Sequence, residues 1–132
     1  TSERYATLLY RTALADGLFL PLLIRLEHVI EHNVAIPRLI ESKRIFIKQV
    51  EAIAKRSAAA LELSSAQAIE VVKTMGVLLI GATQTDQSPS LANEALPTEV
   101  QNLIASFSSE PLFIKNAVRI IEGIRAEGLA NP

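Results

Sequence analysis

Apolar residues recur at spacings of three and four along nearly the whole chain, and no segment alternates as a strand would. The pattern predicts a helix over Ser2–Ala15, with Tyr5, Leu8, Leu9 and Thr12 on one face and Asp16-Gly17 as the turn that ends it. A second helix is expected over 18–32, where Phe19, Leu22, Leu23, Leu26, Val29 and Ile30 share a stripe. Pro21 confines its start, because proline lacks an amide donor, and Asn33 is a natural stop. The third and longest helix is expected over Ile36–Leu61, with Pro37 in its first turn and a polar interval at Glu41, Ser42, Lys43 and Arg44.

A fourth helix is expected over 64–84. Ser64 and Gln67 have the capping-box spacing, in which each side chain satisfies an exposed backbone donor. The stretch 84–97 reads as irregular. Thr98 and Gln101 repeat the capping-box spacing and open a short helix to Ser106. Ser108 or Ser109 then caps a last helix, which Gly128 ends. Along it Phe113, Ala117, Ile120 and Ile124 form one stripe, and Ile114, Val118 and Ile121 form another beside it. No repeat, low-complexity tract or second domain interrupts this order, so the fold class expected is an all-α, single-domain helical bundle.

Within the fourth helix, residues 75–82 (Met-Gly-Val-Leu-Leu-Ile-Gly-Ala) carry no polar side chain. At about 100° per residue, such a run points apolar groups in every direction. A helix that is apolar all round must be covered all round. In a small domain one side meets the core, and a second copy of the chain is the simplest cover for the other. Gly76, Gly81 and Ala82 would let a partner helix approach closely, with Val77 and Ile80 on adjoining faces. The simpler alternative is a tight contact inside one subunit.

Composition narrows the function. The chain has 132 residues, 49% hydrophobic and 20% charged, which suits one ordered domain with a real core. A net charge of −1 gives no basic field to attract nucleic acid. The absence of cysteine removes disulfides, thiol catalysis and cysteine-ligated metals. No uninterrupted apolar run approaches the roughly 18 residues of a membrane span. The N-terminus shows no signal-peptide pattern, so a cytoplasmic protein without membrane contact is expected. The chain begins at Thr1 rather than Met, which reads as a fragment of something longer.

Candidate chemistry is sparse. Glu27, His28, Glu31 and His32 have one-turn spacings that could chelate zinc, but a solvated, partly paired helix face is the simpler reading. No metal or other cofactor is expected. Lys43, Arg44 and Lys48 form a basic cluster diluted by Glu41 and Glu51. Tyr10, Phe19, Phe46 and Met75 are candidate linings of an apolar ligand pocket, although such residues are also ordinary core. Phe46 and Gln49 are the favoured pair, lying midway along the longest helix. Arg11 could pair with an acidic ligand, pair with an acidic side chain of the chain itself, or reach water along its aliphatic stem. No nucleophile, base and acid set stands out, so an enzyme is not expected.

The order of several short motifs resembles a known family. The run Leu22-Leu23-Ile24-Arg25-Leu26-Glu27-His28-Val29-Ile30-Glu31-His32-Asn33-Val34 resembles the "Leu…Val-Leu-Glu-x-Asn-Val" stretch of TetR-family transcriptional regulators. Leu39 to Arg44 resembles the Leu-x-x-Ser-Lys-Arg start of the next helix in that family. Leu63-Ser64-Ser65-Ala66-Gln67-Ala68 is similar to its "Leu-Ser-x-x-Gln-Ala" helix start. Leu78-Leu79-Ile80-Gly81, then Gln84, then Ser88-Pro89-Ser90-Leu91, resembles "Leu-Leu-x-Gly-x-x-Gln…Pro-Ser-Pro-Ala-Leu".

The resemblance implies a C-terminal effector-binding and dimerisation domain. Its last two long helices would form a four-helix bundle with those of a partner. Gly76, Val77, Ile80, Gly81, Gln84, Ile114, Val118 and Ile121 are the expected seam of that homodimer. The resemblance also implies a small apolar or amphipathic effector within each subunit, and DNA binding only through a helix-turn-helix domain that this chain lacks. The functional expectation is thus the ligand-sensing domain of a repressor. Thr83 departs from the pattern, since related sequences often carry Trp there. Two rival readings remain. A stand-alone helical protein-interaction module would use the same apolar helices on a different protein. A helical-bundle enzyme acting on a hydrophobic substrate would need an acid or base among Glu27, His28 and Glu31.

Overall fold

The computed structural model of the chain describes residues 1–15, 35–84 and 95–130. The helix expected over 18–32 lies outside them, and with it Phe19 and the group Glu27, His28, Glu31 and His32. The described residues form five α-helices and no strand: α1 (Ser2–Ala15), α2 (Ile36–Leu61), α3 (Ser65–Gln84), α4 (Thr98–Ser106) and α5 (Ser109–Ala130). The all-α expectation therefore holds, with bounds close to those the periodicity predicts.

The helices pack as a chain of neighbours. α1 lies on α5, α5 on α3, and α3 on α2, while α1 touches α2 only lightly. The core runs through the middle of this stack. α3 contributes Val71, Met75 and Leu79, and α5 contributes Phe113, Ala117, Ile121 and Ile124. Ala6 and Tyr10 enter from α1, and Leu61 from the end of α2. The Tyr10 and Phe113 rings lie with centroids 5.5 Å apart, and the Tyr10 hydroxyl is hydrogen-bonded to buried Ser109. That bond ties the middle of α1 to the first residue of α5.

Three local details differ from the sequence reading. On α1 the buried face is Ser2, Ala6 and Tyr10, while Leu8 points outward. On α5 it is Ile121 rather than Ile120 that joins Phe113, Ala117 and Ile124 in the fully covered stripe. Thr98 does not cap α4: Pro97 holds that position without a side-chain bond, and Gln101 donates to the Leu96 carbonyl instead.

The capping box at the start of α3 does form. Gln67 N–H donates to Ser64 Oγ at 3.2 Å, and Ser64 N–H donates to Gln67 Oε1 at 2.9 Å. The same Gln67 side chain reaches across to α5, its Nε2 donating to the Ile124 carbonyl at 3.1 Å. Gly128, expected as a helix stop, lies inside α5 and makes this reach possible, because a Cβ there would overlap Gln67 Nε2.

A polar chain joins three helices at the other side of α5. Ser2 donates to the Glu122 carboxylate, Arg125 also donates to it, and Arg125 Nη2 donates to the Leu61 carbonyl at 2.7 Å. That carbonyl is one of the acceptors left without a helical partner at the end of α2. The bond from Arg125, and then that from Ser2, hold the Glu122 carboxyl below its ordinary range. α2 closes on Glu62, a non-glycine residue in the left-handed conformation at φ 54°.

Candidate ligand-binding cleft

α2 is buried only toward its end, at Ala54, Ser57 and Leu61. Its earlier apolar stripe is not packed down onto α3, and the space left between α1, α2 and α3 is a cleft of about 980 Å³. Tyr5, Leu9, Thr12 and Ala13 of α1 form one wall. Phe46, Ile47, Val50, Glu51 and Ile53 of α2 form the second. α3 forms the third over 69–80, with Met75 and Leu79 at its base and Lys73, Gly76, Val77 and Ile80 toward its edge.

Why these residues meet follows from helix geometry. Tyr5, Leu9 and Thr12 recur at spacings of four and three, as do Phe46, Val50 and Ile53, so each set is a single stripe. The Tyr5 hydroxyl is tied down, 2.7 Å from Ser57 Oγ, and Ser57 itself donates to the Ile53 carbonyl. α1 and α2 are thereby pinned together at one end of the cleft. The walls are predominantly apolar, with Glu51 and Lys73 as the charged groups at its margin. Neither takes part in a hydrogen bond or ion pair among the described residues. The cleft is suited to an apolar body that carries a limited number of polar groups.

The expected ligand-contacting residues divide. Phe46 and Met75 line the cleft, Phe46 with Lys43 Nζ 5.9 Å from its ring centre. Tyr10 is turned to α5 and buried there. Arg11 is on the surface and pairs with Glu110, Nε to Oε1 at 3.3 Å, which is the ion pair within the chain among the alternatives the sequence leaves open. Gln49 is exposed and outside the lining, where its neighbour Val50 takes part. Among the described residues no cluster of metal-binding side chains occurs, although both histidines lie outside them.

The residues expected at a dimer seam also divide. Gly76, Val77 and Ile80 line the cleft, and Val77 is at the same time 74% exposed. Gly81 and Gln84 lie on the outer face of α3, and Ile114 and Val118 are half-buried on the flank of α5. Ile121 is 0% exposed inside the subunit and offers no surface to a partner. Thr83 is buried and donates back to the Leu79 carbonyl at 2.8 Å.

α3 as a whole is unusual in its cover. Its mean hydropathy of 1.3 over a membrane-length window makes it long and apolar enough to cross a membrane, despite Glu70 and Lys73. Only 28% of that window is buried inside the subunit. One such helix is weak evidence for a span, and the core helix of a bundle has the same composition.

An all-helical domain built around an apolar cleft is the general class that these features define. The model of the tetracyclin repressor-like C-terminal domain family matches residues 1–128, and the chain belongs to that family. Family membership carries dimerisation and ligand binding in general terms. No curated protein and no solved structure matched the chain.

Proposed function

We propose that this chain is the effector-sensing and homodimerising domain of a TetR-like transcriptional repressor acting in the cytoplasm. The observation that carries this reading is the apolar cleft between α1, α2 and α3 in a chain of this family. A small, mostly apolar or amphipathic effector enters the cleft and favours one arrangement of α1 and α2 against α3. In the complete regulator that change alters DNA binding by a helix-turn-helix domain outside this chain. An effector can shift such an equilibrium only by binding the two arrangements unequally. The predominantly apolar lining favours binding over turnover, the charged groups among the described residues being Glu51 on the α2 wall and Lys73 on the α3 wall.

The reading is tested by fluorescence titration with 1-anilinonaphthalene-8-sulfonate, an amphipathic probe. Val50→Trp places an indole where the α2 wall faces the cleft and is expected to weaken probe binding by at least about tenfold. Leu8→Trp, on the open side of α1, is expected to leave it unchanged. Equal binding by all three proteins would remove the cleft as the site.

A further inference from the structure

Four polar side chains line the cleft among the described residues. Thr12, Glu51 and Lys73 are exposed, and Tyr5 is half-buried. The Tyr5 hydroxyl lies 2.7 Å from Ser57 Oγ, and the direction of that bond is fixed by the next one. Ser57 Oγ lies 2.9 Å from the Ile53 carbonyl, and a carbonyl can only accept. Serine has a single hydroxyl proton, so Ser57 has none left for Tyr5. Tyr5 is therefore the donor, and its own proton is committed to Ser57. What remains on Tyr5 Oη is acceptor capacity, and no other described residue bonds to it. A ligand that fills the cleft displaces water from this oxygen. A donor on the ligand restores the lost bond, whereas an ether, ketone or carboxylate sets lone pair against lone pair. Glu51 and Lys73 at the margin carry opposite charges, so together they select neither an acid nor a base.

The geometry points to Tyr5 as the residue that selects the ligand's head group: the cleft takes an apolar molecule carrying a hydroxyl donor, an alcohol or a phenol, in preference to an ether, ketone or carboxylate of the same shape. This rests on the ligand-sensing function proposed above and deepens it, by naming the chemistry the cleft reads. The relay behind Tyr5 is built to last. Ser57 follows Ile53 by one helical turn, so its hydroxyl reaches the carbonyl four residues back. Ser57 is also 2% exposed, which keeps water from competing for its proton. α1 and α2 touch only lightly elsewhere, so this bond is what orients the Tyr5 hydroxyl. A hydrogen bond made by the donor ligand and missed by its acceptor analogue corresponds to about fivefold in affinity.

1-Naphthol and 1-methoxynaphthalene test the choice, since they share a ring system and differ in having or lacking the donor. Each is titrated as a competitor of 1-anilinonaphthalene-8-sulfonate, counting only the part of the signal that Val50→Trp removes. The ratio of their affinities is compared between proteins, so their different transfer from water cancels, and partial unfolding of a variant lowers both together. Relative to wild type, Tyr5→Phe is expected to shift that ratio about fivefold against the naphthol. Ser57→Ala removes the acceptor of the Tyr5 proton without altering the lining, and so frees the tyrosine to donate. It is expected to shift the ratio the same way, by tightening the methoxy compound rather than weakening the naphthol. Glu51→Gln is expected to leave the ratio as it is. A ratio that Tyr5→Phe does not change overturns the proposal while leaving ligand binding intact. A Ser57→Ala protein in which the methoxy compound gains nothing overturns it by refuting the direction of the relay. Failure of both compounds to displace the probe from wild type would defeat the ligand-sensing reading, and this inference with it.

Discussion

Gly128 and Gln67 make a sharp test of how α3 and α5 are joined. The Gln67 amide occupies the space that a Cβ at 128 would fill, and from there it donates to the Ile124 carbonyl while its oxygen accepts from Ser64 N–H. Gly128→Ala drives that side chain away and removes both bonds. Each such bond is worth about 0.5–1.5 kcal/mol net, so the loss is about 1–3 kcal/mol. Against it stands the helix preference of Ala over Gly, about 0.5–1 kcal/mol and smaller this near the helix end. The net expectation is destabilisation by about 0.5–2 kcal/mol. In a Gln67→Ala background there is no amide to displace, and Gly128→Ala should instead stabilise by about 0.5 kcal/mol. The sign reverses, giving a coupling of about 1–2.5 kcal/mol in a double-mutant cycle. Urea unfolding followed by far-ultraviolet circular dichroism, at one fixed protein concentration, reads all four proteins. If Gly128→Ala stabilises equally in both backgrounds, the close approach is not what selects glycine there.

Two further predictions concern the ends of the same helices. Because the folded-state value of Glu122 is lowered, its contribution is present in full above the ordinary value of 4.5 and is lost as pH falls through the folded one. Acid unfolding of wild type and Glu122→Gln should therefore converge below that pH, and a gap that stays constant would rule the network out as its cause. Glu62→Gly should stabilise the chain by about 0.5–1 kcal/mol, since glycine adopts φ 54° without crowding its Cβ; a loss of thermal stability would contradict this.

Helix bounds were legible because they depend on neighbours in sequence. Proline near the start of α2, the Ser64–Gln67 box and the three- and four-residue spacings act within a turn or two, where no tertiary information is needed. Contacts between distant segments were not legible. The Ser2–Glu122–Arg125–Leu61 chain joins both ends of the sequence with the middle, and no local signal marks its members as partners. Gly128 failed for a related reason: glycine near a helix end is a common stop, and only the presence of Gln67 across the interface shows that space, not termination, selects it.

Within the cleft the same limit appears as an error of one residue. Phe46 is legible, but the midpoint of α2 points to Gln49 where Val50 lines the wall, and a step of one residue turns a side chain by about 100°. Tyr10 and Arg11 sit one and two residues past Leu9, enough to turn them from the cleft onto α5 and Glu110. Periodicity ranks faces only where polar residues contrast with apolar ones. α3 offers no such contrast over 75–82, since the core, the cleft and the open edge at Val77 all demand apolar side chains. An amphipathic helix has one job and displays it in its pattern. A helix with a different apolar task on each face shows only that all of its faces must be covered, and what covers each is decided by the elements packed around it.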